Sequence, residues 1–515
     1  MFLVAGDGAI LAADYCLPEG PGPFPCVLIR TPYDRRSHAA ELRAWARRGF
    51  AAVAQDVRGR HGSGGRWHPY LNEAEDGATT VRVLRRQPWS DGTIVACGAS
   101  YAAHCALATA LQDDPAVRPD AVIAAVPALG LAETAREPSG AERLLARAGW
   151  WAAHGDRADS DPSALRRALA ADPGLLDHLP LLDLPRRLGR PMPSWERLWA
   201  AERSGDPAGT PGTGPGAVGR AGSGAIPLLA IGGSHDPFVP DTVSLWRAWG
   251  RHGLGAARLL LGPWGHALTA SPGPGAGEGH RLALGSLYAR FAQAALNGTL
   301  TGRRGAVALE GTGQWVAAQE MERLPKPVRM DGEGTGLRVL RGTEFVADPE
   351  RPVRSDRLDV PADGRPDRFV ALSEPLPDPL DLAGDAEARI LATADTPSAD
   401  WAVRLVVLTS RDTAEPLATG VARTRAPAGA HVVISVPLGP MFRRLPAGVR
   451  LRLEIAGHHF PAHARNPHTG HDPLRATFLR ASRRTVVPDA SHLSLPALDR
   501  TVALRPVDPA EEITR

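Results

Sequence analysis

Ser100, Asp236 and His266 follow one another along the chain in an order that suits nucleophilic catalysis. A serine hydroxyl becomes a nucleophile when an imidazole takes its proton, and a carboxylate orients that imidazole. Each of the three stands just after a short apolar run. Ile94–Cys97 leads into Gly98-Ala99-Ser100, Pro227–Gly232 into Gly233-Ser234-His235-Asp236, and Arg258–Leu261 into Gly262-Pro263-Trp264-Gly265-His266. Beyond Ser100 begins an Ala-rich stretch, Tyr101–Leu111, that predicts a helix. A sharp strand-to-helix corner lifts the serine off the sheet and leaves the next backbone N–H free, the geometry of a nucleophile elbow. Gly98, Ala99, Ala102 and Ala103 supply the small side chains it needs, with Ala102 where a second glycine is usual. Alone, the pattern also fits a serine capping an ordinary helix. His235 and His104 compete with His266 for the role of base. His104 lies one turn along the helix from Ser100 and should point into the scaffold or lid, whereas His235 could line the pocket.

Acyl transfer also needs donors for a developing oxyanion. The Tyr101 N–H is the first. The second is expected from the loop Thr31-Pro32-Tyr33-Asp34-Arg35, where the Tyr33 phenol reads equally as a donor across the cleft or as a core side chain. Gln55, Trp150, Trp151 and His235 are candidate substrate-binding residues. Trp150, Trp151, Trp195 and Trp199 suit a helical core, and any that faces the cleft would wall it with aromatic surface.

These residues need a scaffold that brings strand ends together. Residues 9–17, Val27–Arg30, Phe50–Gln55, Ile94–Cys97 and Val122–Val126 read as strands, separated by helical stretches at Ala39–Arg48 and Glu73–Arg86. That alternation predicts a parallel, doubly wound sheet. Residues 128–205 carry short helical segments broken by proline, and 206–225 read as a Gly/Pro-rich linker. Strand character returns at Ile226–Gly232. From about 325, short alternating runs separated by turns predict a jelly-roll β-sandwich; Arg443-Arg444 reads as a solvated turn. The expected organisation is a first domain of residues 1–127 and 226–324, a helical cap inserted at 128–225, and a sandwich at 325–515.

The chain has 515 residues, 43% hydrophobic and 22% charged, with a net charge of +3. This suits a globular protein and gives no argument for nucleic acid or an anionic membrane surface. The four cysteines, Cys16, Cys26, Cys97 and Cys105, form no Cys-x-x-Cys pair and read as free thiols. No metal site is indicated. No signal peptide or membrane span is read, so a cytoplasmic location is expected.

Several motifs, in order, resemble those of the cocaine-esterase-like members of the X-Pro dipeptidyl-peptidase group. They are Arg30-Thr-Pro-Tyr33-Asp, Gln55-Asp-Val-Arg-Gly59 with Gly62-Ser-Gly-Gly65, Trp89-Ser-Asp-Gly92 and Gly98-Ala-Ser100-Tyr101. Asp236-Pro-Phe, Gly262-Pro-Trp-Gly-His266, His459-Phe-Pro and Arg465-Asn-Pro-His-Thr-Gly470 continue them. The resemblance implies an α/β-hydrolase sheet with an inserted helical cap and a C-terminal all-β jelly roll. It also implies a Ser100–His266–Asp236 triad, an oxyanion hole of the Tyr101 N–H and the Tyr33 hydroxyl, and no cofactor. The N-terminus looks shorter than is usual there, so the first sheet strand is expected to be trimmed or absent. The expected function is a serine hydrolase that cleaves an ester or amide of a small-molecule substrate through an acyl-enzyme. The alternatives are acyl transfer or other bond formation in biosynthesis and, third, X-Pro dipeptide release. A homodimer stays open.

Overall fold

The computed structural model describes the chain except residues 201–212, 221–225, 252–254, 323–324, 331–335, 410–412 and 499–503. Its N-terminal part is a ten-stranded sheet. The strands are β1 (Phe2–Val4), β2 (Ile10–Cys16), β3 (Phe24–Thr31), β4 (Ala51–Asp56), β5 (Ser90–Ala99), β6 (Ala121–Ala125), β7 (Leu228–Gly233) and β8 (Ala257–Gly262). A small hairpin of β9 (Trp264–Gly265) and β10 (Leu268–Pro272) follows, and then β11 (Arg303–Leu309) and β12 (Gln314–Ala317) complete the sheet. The strand order is β1-β2-β4-β3-β5-β6-β7-β8-β11-β12. Strands β4, β3, β5, β6, β7, β8 and β11 run parallel, flanked by antiparallel β1–β2 and β12.

The parallel strands are apolar on both faces because helices cover both. Every residue of β4, β6, β7 and β8 is buried, as crossover connections require. Helices α1 (Ala39–Ala46), α2 (Glu73–Leu84) and α3 (Tyr101–Ala110) belong to the first half. The first strand of the sheet is present but only three residues long: β1 pairs with β2 in register Phe2↔Ala12 to Val4↔Ile10, so the strand expected to be trimmed or absent is not absent. A short N-terminus still closes the sheet edge because a tight turn doubles it back. Cys26, Cys97 and Cys105 are buried free thiols and Cys16 is partly covered.

Between β6 and β7 the chain leaves the sheet for α4 (Leu131–Ala135), α5 (Leu144–Ala153), α6 (Ala164–Ala171), α7 (Leu184–Arg187), α8 (Ser194–Ala200) and α9 (Pro215–Arg220). Trp151, Trp195, Leu198 and Leu144 form a shared core with Tyr101 and Tyr70 of the sheet domain. The expected linker over 206–225 lies outside the described residues except for 213–220, most of which is α9. Helix α10 (Val239–Arg251) packs with α3 on one face of the sheet, α11 (Leu284–Leu296) with α1 on the other.

The C-terminal part is two stacked five-stranded antiparallel sheets around a core of Trp401, Leu405, Ile390 and Leu453. Its strands are β13 (Lys326–Arg329), β14 (Leu337–Arg341), β15 (Glu344–Ala347), β16 (Arg368–Ser373), β17 (Leu380–Ala394), β18 (Ser398–Leu408), β19 (Ala414–Arg425), β20 (Val432–Leu445), β21 (Arg450–Ala456) and β22 (Ser482–Leu495); α12 (Pro509–Thr514) then returns to the first sheet. Arg443 and Arg444 are not in a turn. They lie within β20 and pair with Glu415 and Asp381.

The sandwich also fixes the cap. Arg423 of β19 bridges Asp400 and the cap residue Glu142, all three nearly fully buried. The Pro461 carbonyl accepts the Leu145 N–H at the start of α5 at 3.1 Å. Thus α5 is held from the sheet side and the sandwich side together. Among the described residues, no helix is long and apolar enough to cross a membrane.

Candidate active site

The C-terminal ends of β3, β5, β7 and β8 converge beneath α5, and each delivers one of the residues singled out above. Ser100 follows β5 with φ 58° and ψ −120°, a conformation costly for a residue with a Cβ. The surroundings enforce it. The Ser100 N–H donates to the Ala125 carbonyl at 2.9 Å, and the Ser100 carbonyl accepts from Ala103 at 3.1 Å. A Cβ on Gly98 would fall 2.3 Å from the Ala102 carbonyl carbon and oxygen. Glycine is therefore required at 98, whereas the methyl of Ala102 is accommodated.

Asp236 follows β7. Its Oδ1 accepts the Phe238 N–H at 2.7 Å, and its Oδ2 lies 2.5 Å from His266 Nδ1. The Asp236 side chain is fully buried, while that of His266 is 47% exposed and lines the cavity beside Ser100. Gly233 lets the two loops meet, because a Cβ there would come 2.0 Å from the Trp264 carbonyl oxygen. Phe238 packs edge-on against His266 with centroids 5.6 Å apart.

Tyr33 leaves β3 and reaches the same place. Burial pushes its phenol up, while hydrogen bonds involving the Trp150 indole, the Ser100 side chain and the Tyr101 backbone act in the opposite sense. The phenol thus remains a neutral donor beside the serine. Trp150 Nε1–H donates to the Tyr33 hydroxyl oxygen at 3.2 Å, which leaves the phenol hydrogen free for another acceptor. The Tyr101 side chain points the other way, into the floor. Its hydroxyl donates to the Glu73 carboxylate and accepts the Tyr70 N–H at 2.6 Å. Desolvation pushes both the Tyr101 phenol and the Glu73 carboxyl up.

Ser100, Tyr101 and His266 line one cavity of about 320 Å³, together with Tyr70, Arg147, Trp150, His154 and Phe238. That volume falls at the lower end of small-molecule sites. The other candidate pocket residues lie elsewhere. Trp151 is fully buried in the cap core and donates its indole N–H to Ser194 at 2.8 Å. Gln55 is fully buried and accepts from Arg30 Nε at 2.9 Å and Thr80 at 3.1 Å, bracing the sheet beneath the site. His235 turns away to Glu310 at 3.1 Å. His104 is buried against Tyr70, and burial pushes its imidazole down to about 3.

Arg147, Tyr70, His154 and Phe238 escaped the sequence reading. Arg147, Trp150 and His154 follow i, i+3, i+7 spacing along one face at α5. That periodicity was available in the sequence, but which face of an apolar helix covers a site is set by its neighbours.

Known proteins share this architecture. The profile of the X-Pro dipeptidyl-peptidase (S15 family) matches residues 7–268, and that of the X-Pro dipeptidyl-peptidase C-terminal non-catalytic domain matches residues 260–494. Cocaine esterase from Rhodococcus sp. (strain MB1 Bresler) is 25% identical over 587 aligned positions, covering 96% of this chain and 97% of that protein. An aminopeptidase structure from a marine sediment archaeon, Thaumarchaeota archaeon, superimposes with a TM-score of 0.76 at 19% identity. An α-amino acid ester hydrolase structure superimposes with a TM-score of 0.76 at 18% identity. Each of these superpositions covers 97% of this chain and 96% of the other, and at such identities it speaks for the fold alone.

Proposed function

The chain belongs to the X-Pro dipeptidyl-peptidase (S15) family and is a serine hydrolase of the α/β-hydrolase fold, and we propose that it cleaves an ester or amide through an acyl-enzyme on Ser100. The observation that supports this reading is one cavity, lined by Ser100, Tyr101 and His266, at which a strained serine corner meets the imidazole that Asp236 holds, with the Tyr33 phenol beside Ser100.

Ser100 Oγ attacks the carbonyl carbon, and its proton passes to His266 Nε2. Asp236 holds Nδ1 and stabilises the imidazolium. The carbonyl oxygen becomes an oxyanion that accepts hydrogen bonds from the Tyr101 N–H and the Tyr33 hydroxyl. Collapse breaks the bond to the leaving alcohol or amine, which takes the proton from Nε2. Water then gives its proton to His266 and attacks the acyl-Ser100 ester. The carboxylic acid departs and Ser100 regains its proton. The half-exposed His266 supports water as the second nucleophile, since solvent reaches the base.

Trp150 acts as a positioning residue: its indole N–H holds the phenol oxygen, which leaves the phenol hydrogen to donate to the oxyanion. Ser100→Ala should abolish turnover of an activated ester such as 4-nitrophenyl butyrate while the melting temperature holds. Retained turnover would remove Ser100 from the mechanism.

A further inference from the structure

Arg147 is a buried cation with no carboxylate counter-ion among the described residues. It lies on α5, one turn before Trp150, is 6% exposed, and lines the cavity that holds Ser100 and His266. Among the described residues, no carboxylate lies within ion-pair distance of its guanidinium, and its Nε has no hydrogen-bond partner. The acidic residues near it in sequence are committed elsewhere. Glu137 pairs with Arg143 and His463, and Glu142 with Arg423. The contacts Arg147 does make are to neutral groups: its guanidinium hydrogen-bonds the Tyr70 phenol and stands 6.0 Å from the Phe238 ring centroid.

A desolvated, unpaired guanidinium is costly. Removing it would cost nothing if its only role were to fill space, because Met or Leu fits a helix–cavity wall as well. Nothing else in the cavity balances it. The described lining contains no Asp or Glu. Asp236 is sealed behind His266, and Glu73 lies below the floor against Tyr101. His154 adds no negative charge and is held neutral, pushed down to about 4 by burial and by the nearby Arg60 and His61. The cavity therefore presents one positive charge, apolar and aromatic walls, and a nucleophile. A ligand bearing an ammonium group would meet uncompensated repulsion, whereas a carboxylate would supply the missing half of a charge-assisted, bidentate pair.

We propose that the substrate carries a carboxylate remote from the scissile carbonyl, which Arg147 pairs with, so that the enzyme hydrolyses monoesters or monoamides of dicarboxylic acids. This rests on the Ser100 hydrolase reading. Water and the hemi-ester give the dicarboxylic acid and the alcohol. The spectator carboxylate stays ionised and bound to Arg147 while Ser100 attacks the other carbonyl.

The test uses three methyl esters of matched length: monomethyl adipate, methyl hexanoate and methyl 6-aminohexanoate. They are anionic, neutral and cationic, and acid release is followed at constant pH. The wild-type kcat/KM should favour the anionic ester over the neutral one by about 10–100-fold, the range of one charged hydrogen-bonded contact, with the cationic ester last. In Arg147→Met the anionic-to-neutral ratio should collapse to about one, and Arg147→Lys should restore part of it. A structural role for Arg147 would lower both rates and leave the ratio intact. That result, or a wild type indifferent to the carboxylate, would overturn the proposal.

Calorimetry on Ser100→Ala separates this failure from failure of the hydrolase reading. Monomethyl adipate should bind Ser100→Ala, and its affinity should fall at least about tenfold in Ser100→Ala/Arg147→Met. Binding that depends on Arg147 in a protein that turns over no ester would keep the anion site and remove the hydrolase. Ester turnover without Arg147-dependent binding or preference would do the reverse.

Discussion

Replacing Tyr33 by Phe removes one hydroxyl and nothing else from the candidate oxyanion hole. The Tyr101 N–H remains, because the Ser100 corner fixes it. The Trp150 indole N–H loses the acceptor it had at 3.2 Å. Loss of one such donor lowers kcat by about 10²–10³, or ~2.7–4 kcal/mol of transition-state stabilisation. The ground-state cost is smaller, about 1 kcal/mol for one neutral hydrogen bond, so the fold should survive. KM should change little, since the donor acts on charge that exists only in the transition state. Trp150→Phe keeps the phenol but frees its oxygen, and should cost about tenfold in kcat. Because Trp150 acts through Tyr33, the double variant should be no slower than Tyr33→Phe by more than about twofold. The assay is steady-state hydrolysis of 4-nitrophenyl butyrate, with thermal melts of each variant. A folded Tyr33→Phe enzyme whose kcat lies within about threefold of wild type would refute the donor role.

Gly98→Ala should cost about 1–3 kcal/mol by overpacking, because its Cβ would strike the Ala102 backbone at 2.3 Å; a melt that does not move would contradict the packing argument. Arg423→Gln should destabilise the protein by about 3–5 kcal/mol in denaturant titration, since Glu142 and Asp400 would lose their shared partner in a buried setting. Stability should also fall on acidification. Burial holds His104, His154, His458, His459 and His468 down to about 3, 4, 4, 3 and 2, against about 6.5 in the unfolded chain. Unfolding therefore takes up protons below pH ~6.5, so the stabilisation is complete above that pH and is lost as pH falls, by up to about 1.4 kcal/mol per unit for each imidazole. Melting temperatures that stay flat from pH 7 to pH 5 would contradict it.

The sheet and the strand-end positions of the three candidate catalytic residues were legible because parallel strands buried on both faces are unbroken apolar runs that end in glycine-rich turns. Leu228–Gly233 and Ala257–Gly262 are of this kind, and their ends point to Asp236 and His266. Side-chain direction was not legible. Trp150 and Trp151 are neighbours on one helix, yet one meets Tyr33 and the other Ser194, and both sides of that helix are apolar. His235 sits beside Asp236 but turns to Glu310, the residue just past β11, a strand the pattern did not reveal. Gln55 ends a strand pointing into the scaffold and is held by Arg30 and Thr80. In the sandwich, β19 carries Glu, Pro, Thr and Gly among few large apolar residues, so its alternation is weak. Strands β17, β20 and β22 run 14 or 15 residues, well beyond their apolar centres, because their polar ends are paired by neighbouring strands. Arg147 was invisible because an arginine on a helix ordinarily marks a solvated face, and only the closed cap turns that face inward.

The central claim, a covalent acyl intermediate on Ser100, is tested most directly by treating the protein with a fluorophosphonate and mapping the adduct by mass spectrometry. One phosphonyl group should appear on the Ser100 peptide, with loss of all esterase activity, and none on Ser100→Ala. A folded protein left unmodified at Ser100, or labelled elsewhere with equal loss of activity, would contradict the account.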